Sequence, residues 1–145
     1  MEIRKLQYND LSELCKLFKG FWNEDSDLLK MQKTFFNIDQ NPNFIVFNAL
    51  KDGRIIGTIS GTICCSFYGN CEPFLVIEDF IVDPKERRKG VGKELLKAME
   101  EEARLKGCNQ VILVTDTERK DSQAFYESQG YPKNKNIGYK KKFKF

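Results

Sequence analysis

The feature of this sequence that most constrains its fold is residues 74–107, which read as a strand, a short basic turn and a long helix. The strand, residues 74–82, is apolar, β-branched and aromatic except for two adjacent carboxylates, Glu78 and Asp79. It ends before Pro84, because proline lacks the N–H group that a central strand needs. Apolar residues then recur at helical spacing up to a capping glycine: Val91, Leu95, Met99, Ala103 and Gly107. A glycine-bearing turn therefore opens a helix directly after a strand.

Four cations crowd the N-terminus of this predicted helix: Arg87, Arg88, Lys89 and Lys93. A helix N-terminus already carries about half a positive charge, so each added cation costs on the order of 0.3 to 1 kcal/mol. Gly90 and Gly92 leave the backbone N–H groups open to a ligand, and a phosphate at a helix N-terminus is a recurrent solution. The turn is therefore predicted to bind an anion, best a pyrophosphate.

Two common phosphate-binding loops are excluded by single residues. A P-loop needs a glycine five residues before its Gly-Lys pair and a Ser or Thr after it, and those positions hold Arg87 and Glu94. The dinucleotide fingerprint needs a third glycine where Leu95 stands. What remains is the pattern Arg87-x-x-Gly90-x-Gly92 after a strand.

This pattern resembles the acetyl-CoA-binding motif, R/Q-x-x-G-x-G/A, of the GNAT superfamily of N-acetyltransferases. The flanking strand and helix and the later elements follow the family order, so the resemblance covers essentially the whole chain. It implies an α/β (α+β) fold in one domain, residues 1–145: a mixed, mostly antiparallel sheet with parallel, splayed central strands flanked by helices. It also implies acetyl-CoA as cosubstrate, bound by the strand end and the turn: Ile81, Val82, Arg87, Arg88, Lys89, Gly90, Val91, Gly92 and Lys93.

Composition agrees with one ordinary globular domain, since 145 residues with 41% hydrophobic content can bury a real core. No apolar run approaches the ~20 residues that span a bilayer, and residues 1–5 lack the apolar centre of a signal peptide, so we expect a cytoplasmic protein without a membrane partner. Five cysteines without C-x-x-C spacing, in a chain without histidine, read as reduced and mostly buried, and we expect no metal site. A net charge of +3 does not indicate nucleic acid.

The N-terminal half predicts a strand at residues 3–6, a helix capped near Asp10 that stops near Gly20, and a second helix capped by Ser26 or Asp27. Residues 43–50 and 55–63 then form a hairpin around a D-G turn. Two glycines in its second strand allow two interpretations, close packing or a bulge on the one hand and a floor that leaves room for ligand on the other: Gly57 and Gly61.

The C-terminal part predicts a strand over residues 110–115, buried on both faces and parallel to residues 74–82 through a right-handed crossover. A short helix with Gly130 as its C′ residue follows and resembles the second GNAT signature, although Arg119 stands where many members carry Asn. That departure leaves a cofactor contact at this position open. In the tail, Lys140, Lys142 and Lys144 alternate with Tyr139, Phe143 and Phe145, which favours a lysine-faced edge strand over a nucleic-acid site.

Acetyl transfer needs a base for the amine, a donor to the developing oxyanion and a proton for the leaving thiolate. Without histidine, the base must be a carboxylate, a tyrosine or ordered water. Glu78 and Asp79 point to opposite strand faces unless a bulge intervenes, and among apolar neighbours a carboxylate would be desolvated and its pKa raised. The pair resembles that of the diamine and polyamine branch, where the Glu is linked to deprotonation and the Asp to amine binding. The alternative for each is a simple structural ion pair or hydrogen bond.

Two further roles follow from the resemblance. Tyr126 matches the family tyrosine that can protonate the CoA sulfur, the alternative being a core aromatic residue beside Phe125. The oxyanion donor would be a main-chain N–H group near Ile81 or Val82.

The predicted activity is transfer of an acetyl group from acetyl-CoA to a primary amine of a small-molecule or peptide acceptor by direct attack in a ternary complex. A ping-pong route through Cys64, Cys65 or Cys108 is weaker because no histidine can activate a thiol. The alternative from another class is a CoA-binding sensor or interaction module without turnover.

The acceptor stays open among polyamines, amino acids, aminoglycosides, peptide N-termini and protein lysines. Glu24, Asp25 and Asp27 would suit a cationic amine, because the segment between the first two helices lies over the acceptor site in GNAT proteins. The family often forms homodimers, so a homodimer is also an expectation.

Overall fold

The computed structural model describes residues 1–144, which form two compact units, one over Met1–Leu113 and a second from Val114 onward. The first unit holds the sheet and three helices, and the second holds one helix. The single domain over residues 1–145 that the resemblance implies stays a prediction.

The first unit is built on a five-stranded sheet with the strands in chain order: β1 (Glu2–Lys5), β2 (Phe44–Lys51), β3 (Arg54–Cys64), β4 (Phe74–Val82) and β5 (Val111–Ile112). The first four strands pair antiparallel and β5 pairs parallel with β4, which confirms the mixed, mostly antiparallel sheet. In the β2–β3 hairpin, Asp52 and Gly53 have φ of +50° and +74°. Positive φ at both central residues is what a type I′ turn requires, so the D-G hairpin is also confirmed.

Two helices precede β2, α1 (Leu11–Trp22) and α2 (Leu28–Asp39). Helix α1, expected to stop near Gly20, continues two residues further to Trp22, and Asn23 follows as its C-cap residue in the left-handed conformation. A glycine inside a helix costs only about 1 kcal/mol, which packing of the amphipathic face offsets. Asp27 caps α2 as predicted, accepting a hydrogen bond of 3.0 Å from the Lys30 N–H group.

Asp10 precedes α1 but makes no side-chain cap to it. Its carboxylate instead accepts two hydrogen bonds from the Arg4 guanidinium, at 2.6 and 2.9 Å, and one of 2.8 Å from the Gln7 N–H group. This buried carboxylate therefore ties β1 to the start of α1.

The third helix, α3 (Val91–Leu105), packs on the face of the sheet opposite to helices α1 and α2. Its residues Leu95 and Met99 are fully buried. A Cβ atom at Gly61 would lie 2.7 Å from both Leu75 Cδ1 and Met99 Sδ, and one at Gly57 would lie 2.9 Å from Leu95 Cδ1. The two glycines thus allow α3 to approach β3 closely. Close packing is the correct interpretation, and the ligand floor was wrong.

Strand β5 has only two residues, Val111 and Ile112, against the predicted 110–115. Its ladder with β4 covers Leu75 and Val76 alone, and Ile112 is 41% exposed. The prediction of a strand buried on both faces was wrong, because Val111 is only half-buried and Ile112, which points to the other face, is exposed.

The second unit contains α4 (Lys120–Ser128), which ends in a Schellman motif. The Tyr131 N–H group donates to the Tyr126 carbonyl at 3.0 Å, and the Gly130 N–H group donates to the Glu127 carbonyl at 3.1 Å. Gly130 has φ of +91°, so its prediction as the C′ residue is confirmed. Residues 136–144 form no strand, so the prediction of a lysine-faced edge strand was wrong for these residues. Phe145, which belongs to the same prediction, lies outside the described residues.

All five cysteines are free thiols, but the expectation of burial was wrong: Cys65 and Cys71 are exposed, and Cys15, Cys64 and Cys108 are half-buried. Within residues 1–144, no group of three or more His, Cys, Asp and Glu side chains is placed to bind a metal ion. No helix of that range is long and apolar enough to cross a bilayer.

Candidate active site

The turn between β4 and α3 leaves the N-terminus of the helix open. Asp83 caps a short 3-10 turn, Pro84–Glu86, and the chain then passes through Arg88 and Gly90 with φ of +60° and +85°. Gly90 is the N-cap of α3 and no side chain caps that helix. The N–H groups of a first helical turn lack intrahelical partners, so they are available to an anion.

A buried carboxylate braces the turn from below. Glu86 is 8% exposed, and its carboxylate forms ion pairs with the Lys89 ammonium at 3.2 Å and the Lys51 ammonium at 3.3 Å. These two cations hold the pKa of Glu86 below its usual value, and Lys89 has the larger effect. Lys89 also donates to the Lys85 carbonyl at 2.9 Å. Lys89, predicted as a cofactor ligand, is thus engaged within the turn.

The other three predicted cations, Arg87, Arg88 and Lys93, are exposed. Arg87 lies over the ring of Phe21 at the end of α1, with Cζ 5.9 Å from the ring centroid. Neither Arg88 nor Lys93 pairs with a carboxylate among residues 1–144. Positive charge at the turn is therefore left for a ligand.

Strand β4 contains a β-bulge at its two carboxylates. Ser60 pairs with Glu78 and Thr58 pairs with Ile81, so two residues of β4 oppose one residue of β3. Asp79 lies in the bulge with φ of +45°. The bulge is the condition under which adjacent carboxylates do not have to point to opposite faces.

A cleft of about 330 Å³ lies between helices α1 and α2 and strands β2, β3 and β4. Most of its wall is apolar, including Leu14, Phe18, Met31, Phe35, Phe44 and Val46. Its polar groups are Asp27, Lys30, Thr34, Thr58, Ser60 and Asp79. Glu78 is the cross-strand partner of Ser60, and residues directly opposite in a ladder share a face. The bulge thus brings both carboxylates to the cleft side of the sheet, with Asp79 in its lining.

Both carboxylates are exposed, so the expectation of a desolvated carboxylate in this strand was wrong. The apolar neighbours of Glu78 and Asp79 in the sequence lie on the other face or beyond the bulge, as Ile77 and Ile81 are buried while the carboxylates are not. Among residues 1–144, the Asp79 carboxylate has neither a hydrogen-bond nor an ion-pair partner. The alternative of a structural ion pair is therefore not what the structure shows for Asp79.

Beyond Val76, the edge of β4 that faces β5 has no strand partner among residues 1–144, because the β4–β5 ladder ends there. This is the splaying of parallel strands that the resemblance implies. The Asp83 N–H group donates to the Ile56 carbonyl on β3 at 2.9 Å. Since successive N–H groups of a strand point to opposite edges, the Val82 N–H group faces the open edge.

Tyr126 lies in the second unit, half-buried on α4. Its ring packs edge-on against Phe125 and Tyr131, at centroid distances of 5.4 and 5.9 Å. Burial raises the pKa of Tyr126 above its ordinary value, with the nearby charge of Arg119 opposing the shift. Arg119 is the N-cap residue of α4 and lies 3.4 Å from Asp116.

One continuous segment, β4–turn–α3, thus carries every predicted catalytic and cofactor-binding residue except Tyr126. Of the acceptor-side carboxylates Glu24, Asp25 and Asp27, only Asp27 lines the cleft. The sequence did not reveal that Phe35 and Phe44 line a cleft. It also did not reveal that Lys51 on β2 forms an ion pair with Glu86 in the turn. The signal available for the cleft was the set of large apolar residues in α2. None of the residues of this helix is fully buried, so its apolar side chains are left to line a cleft.

Comparison with known proteins gives a family match and several N-acetyltransferase relatives. The acetyltransferase (GNAT) family model matches residues 9–131. A glucosamine 6-phosphate N-acetyltransferase of Trypanosoma brucei brucei is 34% identical over 133 residues, 90% of this chain and 88% of that protein. An aminoglycoside N(6′)-acetyltransferase type 1 of Salmonella typhimurium is 26% identical over 146 residues, 98% of this chain and 99% of that protein.

The fold agrees with these matches. A solved aminoglycoside N-acetyltransferase, in complex with the bisubstrate analogue CoA-S-monomethyl-acetylneamine, superposes with a TM-score of 0.79 at 25% identity. The similarity covers 98% of this chain and 97% of that one.

Proposed function

The chain belongs to the acetyltransferase (GNAT) family, and from that premise we propose that it transfers an acetyl group to the primary amine of a cationic acceptor bound beside Asp79. It is an acetyl-CoA-dependent N-acetyltransferase. The observation that carries the acceptor assignment is the cleft, whose lining includes an unpaired carboxylate on β4. Val82, at the end of that strand, is the third residue after Asp79, about 10 Å further along the chain. Asp79 of the cleft and the cofactor turn thus lie close together on one chain segment.

The turn fits acetyl-CoA, the cosubstrate of the family. The uncapped first turn of α3 offers the N–H groups of Val91, Gly92 and Lys93 to a pyrophosphate, and Arg87 and Arg88 supply compensating charge. Bound acetyl-CoA supplies the acetyl group as an activated thioester. At the open edge of β4, the Val82 N–H group would donate to the thioester carbonyl oxygen, where negative charge develops.

Asp79 and Glu78 divide the work on the amine. An alkylammonium ion must lose a proton before it can attack, and Asp79 in the cleft lining would hold that ion by charge-assisted hydrogen bonds. Glu78, on the same sheet face, would take the proton directly or through a water molecule. Tyr126 is the proposed donor to the departing thiolate, and its raised pKa keeps the phenol protonated at neutral pH.

Direct transfer is favoured over a route through an acetylated cysteine. Burial raises the pKa of the Cys108 thiol, and a neutral thiol is a poor nucleophile. The relative solved with a bisubstrate analogue binds CoA and acceptor portions in one molecule, which supports simultaneous binding here as well. A homodimer and a cytoplasmic location, both expected from the sequence, stay proposals.

The test is CoA release measured with a panel of amines. Cationic amines should outcompete neutral and acidic ones, and the preference should weaken as salt is raised, because part of it is electrostatic steering. Tight CoA binding without turnover on any amine would instead indicate a CoA-binding sensor or interaction module. An acidic amino acid as best acceptor, without salt dependence, would contradict the cationic acceptor.

A further inference from the structure

The acceptor cleft is far less polar than the substrates named for the two relatives. Its wall is formed mainly by aliphatic and aromatic side chains from α1, α2 and β2, such as Leu14, Phe18, Phe35 and Phe44. Aminoglycosides and glucosamine 6-phosphate carry many hydroxyl groups, and the latter also carries a phosphate. Each hydroxyl group buried without a partner costs about 1 to 3 kcal/mol, so a site for such molecules needs many polar contacts.

The polar groups of the cleft are mostly engaged with the protein. Asp27 accepts from the Lys30 N–H group at 3.0 Å, and the Lys30 ammonium lies 3.6 Å from the same carboxylate. The Thr58 hydroxyl donates to Asn48 Oδ1 at 2.8 Å, and the Ser60 hydroxyl donates to the Glu78 carbonyl at 2.9 Å. The lining therefore leaves two side-chain donors, the Lys30 ammonium and the Thr34 hydroxyl, which are few for a substrate that carries many hydroxyl groups.

Of the two carboxylates in the lining, Asp27 is paired with Lys30, whereas the Asp79 carboxylate has no partner among residues 1–144. One unpaired carboxylate in an apolar cleft is complementary to one ammonium group attached to an apolar body. Inside the cleft, a second ammonium group on the same molecule would meet the apolar wall or the Asp27 carboxylate, which is already paired with Lys30 at 3.6 Å.

We propose that the acceptor is a compact monoamine with an apolar body, an arylalkylamine or alkylamine, whose ammonium group binds Asp79 while the carbon skeleton packs on α1, α2 and β2. The volume of about 330 Å³ lies at the small end of ligand pockets, roughly 300 to 1,000 Å³, which suits a compact molecule. This assignment rests on the proposed function and narrows it to one class of amine.

The experiment compares kcat/KM for four kinds of acceptor under saturating acetyl-CoA: 2-phenylethylamine with a series of n-alkylamines, spermidine, an aminoglycoside, and glucosamine 6-phosphate. We expect the apolar monoamines to exceed each of the other three by at least about tenfold. Within the alkylamine series, kcat/KM should rise about three- to fourfold per added methylene until the cleft is filled.

A matched pair of variants on α2 locates the effect. Phe35 is half-buried and lines the cleft, whereas its neighbour Phe36 is 65% exposed and does not. Phe35→Ser should flatten the rise per methylene, and Phe36→Ser should preserve it. The wild-type panel decides the question even if one variant fails to fold.

The possible outcomes distinguish failure of the apolar-monoamine assignment from failure of the proposed N-acetyltransferase function. If the aminoglycoside, spermidine or glucosamine 6-phosphate is acetylated better than every apolar monoamine, the inference is overturned while N-acetyl transfer stands. If no amine is acetylated although CoA binds, the proposed function fails and the inference fails with it. An equal rise per methylene in the Phe35→Ser and Phe36→Ser variants would place the apolar body elsewhere and overturn the inference.

Discussion

The guanidinium of Arg87 lies over the ring of Phe21, with Cζ 5.9 Å from the ring centroid. Phe21 belongs to the last turn of α1, and Phe18, one helical turn earlier, lines the acceptor cleft. Helix α1 therefore contacts both the cationic turn and the cleft wall. Cation–π contacts contribute about 0.5 to 1 kcal/mol at exposed sites, so the pair orients the arginine more than it stabilises the fold.

The two carboxylates of the β4 bulge should give different kinetic defects. Asp79→Asn removes the partner of the ammonium group and should raise KM for the amine at least about tenfold, with acetyl-CoA binding unchanged. Glu78→Gln should mainly lower kcat at neutral pH, where the amine is protonated, and high pH should partly rescue it by deprotonating the amine. Steady-state kinetics between about pH 6 and 10 measure both effects. Equal and pH-independent defects would contradict this division of roles.

Tyr126→Phe keeps the ring and removes the proposed proton donor. Turnover should fall on the order of a hundredfold while acetyl-CoA still binds. Because burial raises the pKa of Tyr126 above its ordinary value, its phenol stays protonated at neutral pH, and wild-type turnover should show no loss from its ionisation there. Acyl donors with a more acidic thiol should recover more of the lost rate. Wild-type turnover in the variant would reduce Tyr126 to a core aromatic residue.

The Arg4–Asp10 ion pair should make the free energy of unfolding depend on pH in the acidic range. Burial pushes the pKa of Asp10 up, but Arg4 and the Gln7 N–H group push it down further, so it lies below the ordinary value of 3.8. A lowered folded-state pKa means that the stabilisation is present above about pH 4 and is lost as pH falls through the folded value. Asp10→Asn should lower the free energy of unfolding by about 1 to 3 kcal/mol at pH 7, measured by urea denaturation.

That difference should shrink towards zero in the most acidic buffers. The exposed Asp25, 3.0 Å from Lys19, provides the control, and Asp25→Asn should change the free energy of unfolding by less than about 0.5 kcal/mol. A pH-independent effect of Asp10→Asn would mean that the carboxylate charge contributes nothing.

Gly61→Ala tests the approach of α3 to the sheet. The added methyl group would lie 2.7 Å from Leu75 Cδ1 and Met99 Sδ, both fully buried, so the free energy of unfolding should fall by about 1 to 3 kcal/mol. Gly20→Ala meets nothing within 4 Å inside α1 and should raise it by up to about 1 kcal/mol. Thermal or urea melts of both variants measure the contrast. A tolerated alanine at position 61 would mean that the helix can shift away from β3.

Local residue chemistry allowed much of this fold to be predicted. The bounds of β4 follow from its β-branched run and Pro84, the cap of α2 from Asp27, and the end of α4 from Gly130, because each depends on neighbours in the chain. The turn proposed to bind acetyl-CoA could be singled out for the same reason, since its glycines and cations are contiguous.

What the sequence could not supply depends on distant partners. The positive φ of Asp79 arises from the pairing of β4 with β3, and no local signal marks a bulge at that residue. The apolar cleft needs α1, α2 and three strands at once, so Phe35 and Phe44 gave no sign of a binding role. The length of β5 was overestimated because the apolar run at residues 110–115 does not reveal how many of its residues pair with the neighbouring strand β4.

The central claim, that the turn before α3 binds the CoA pyrophosphate, is tested most directly by calorimetric titration of CoA into the Gly92→Asp variant. Aspartate in the first turn of a helix is favourable for the helix, so the variant should fold. Lys97→Gln makes the same net charge change at an exposed position farther along α3 and is the matched control. We predict CoA binding at least about tenfold weaker in Gly92→Asp and nearly unchanged in Lys97→Gln. Wild-type CoA affinity in Gly92→Asp would contradict the account.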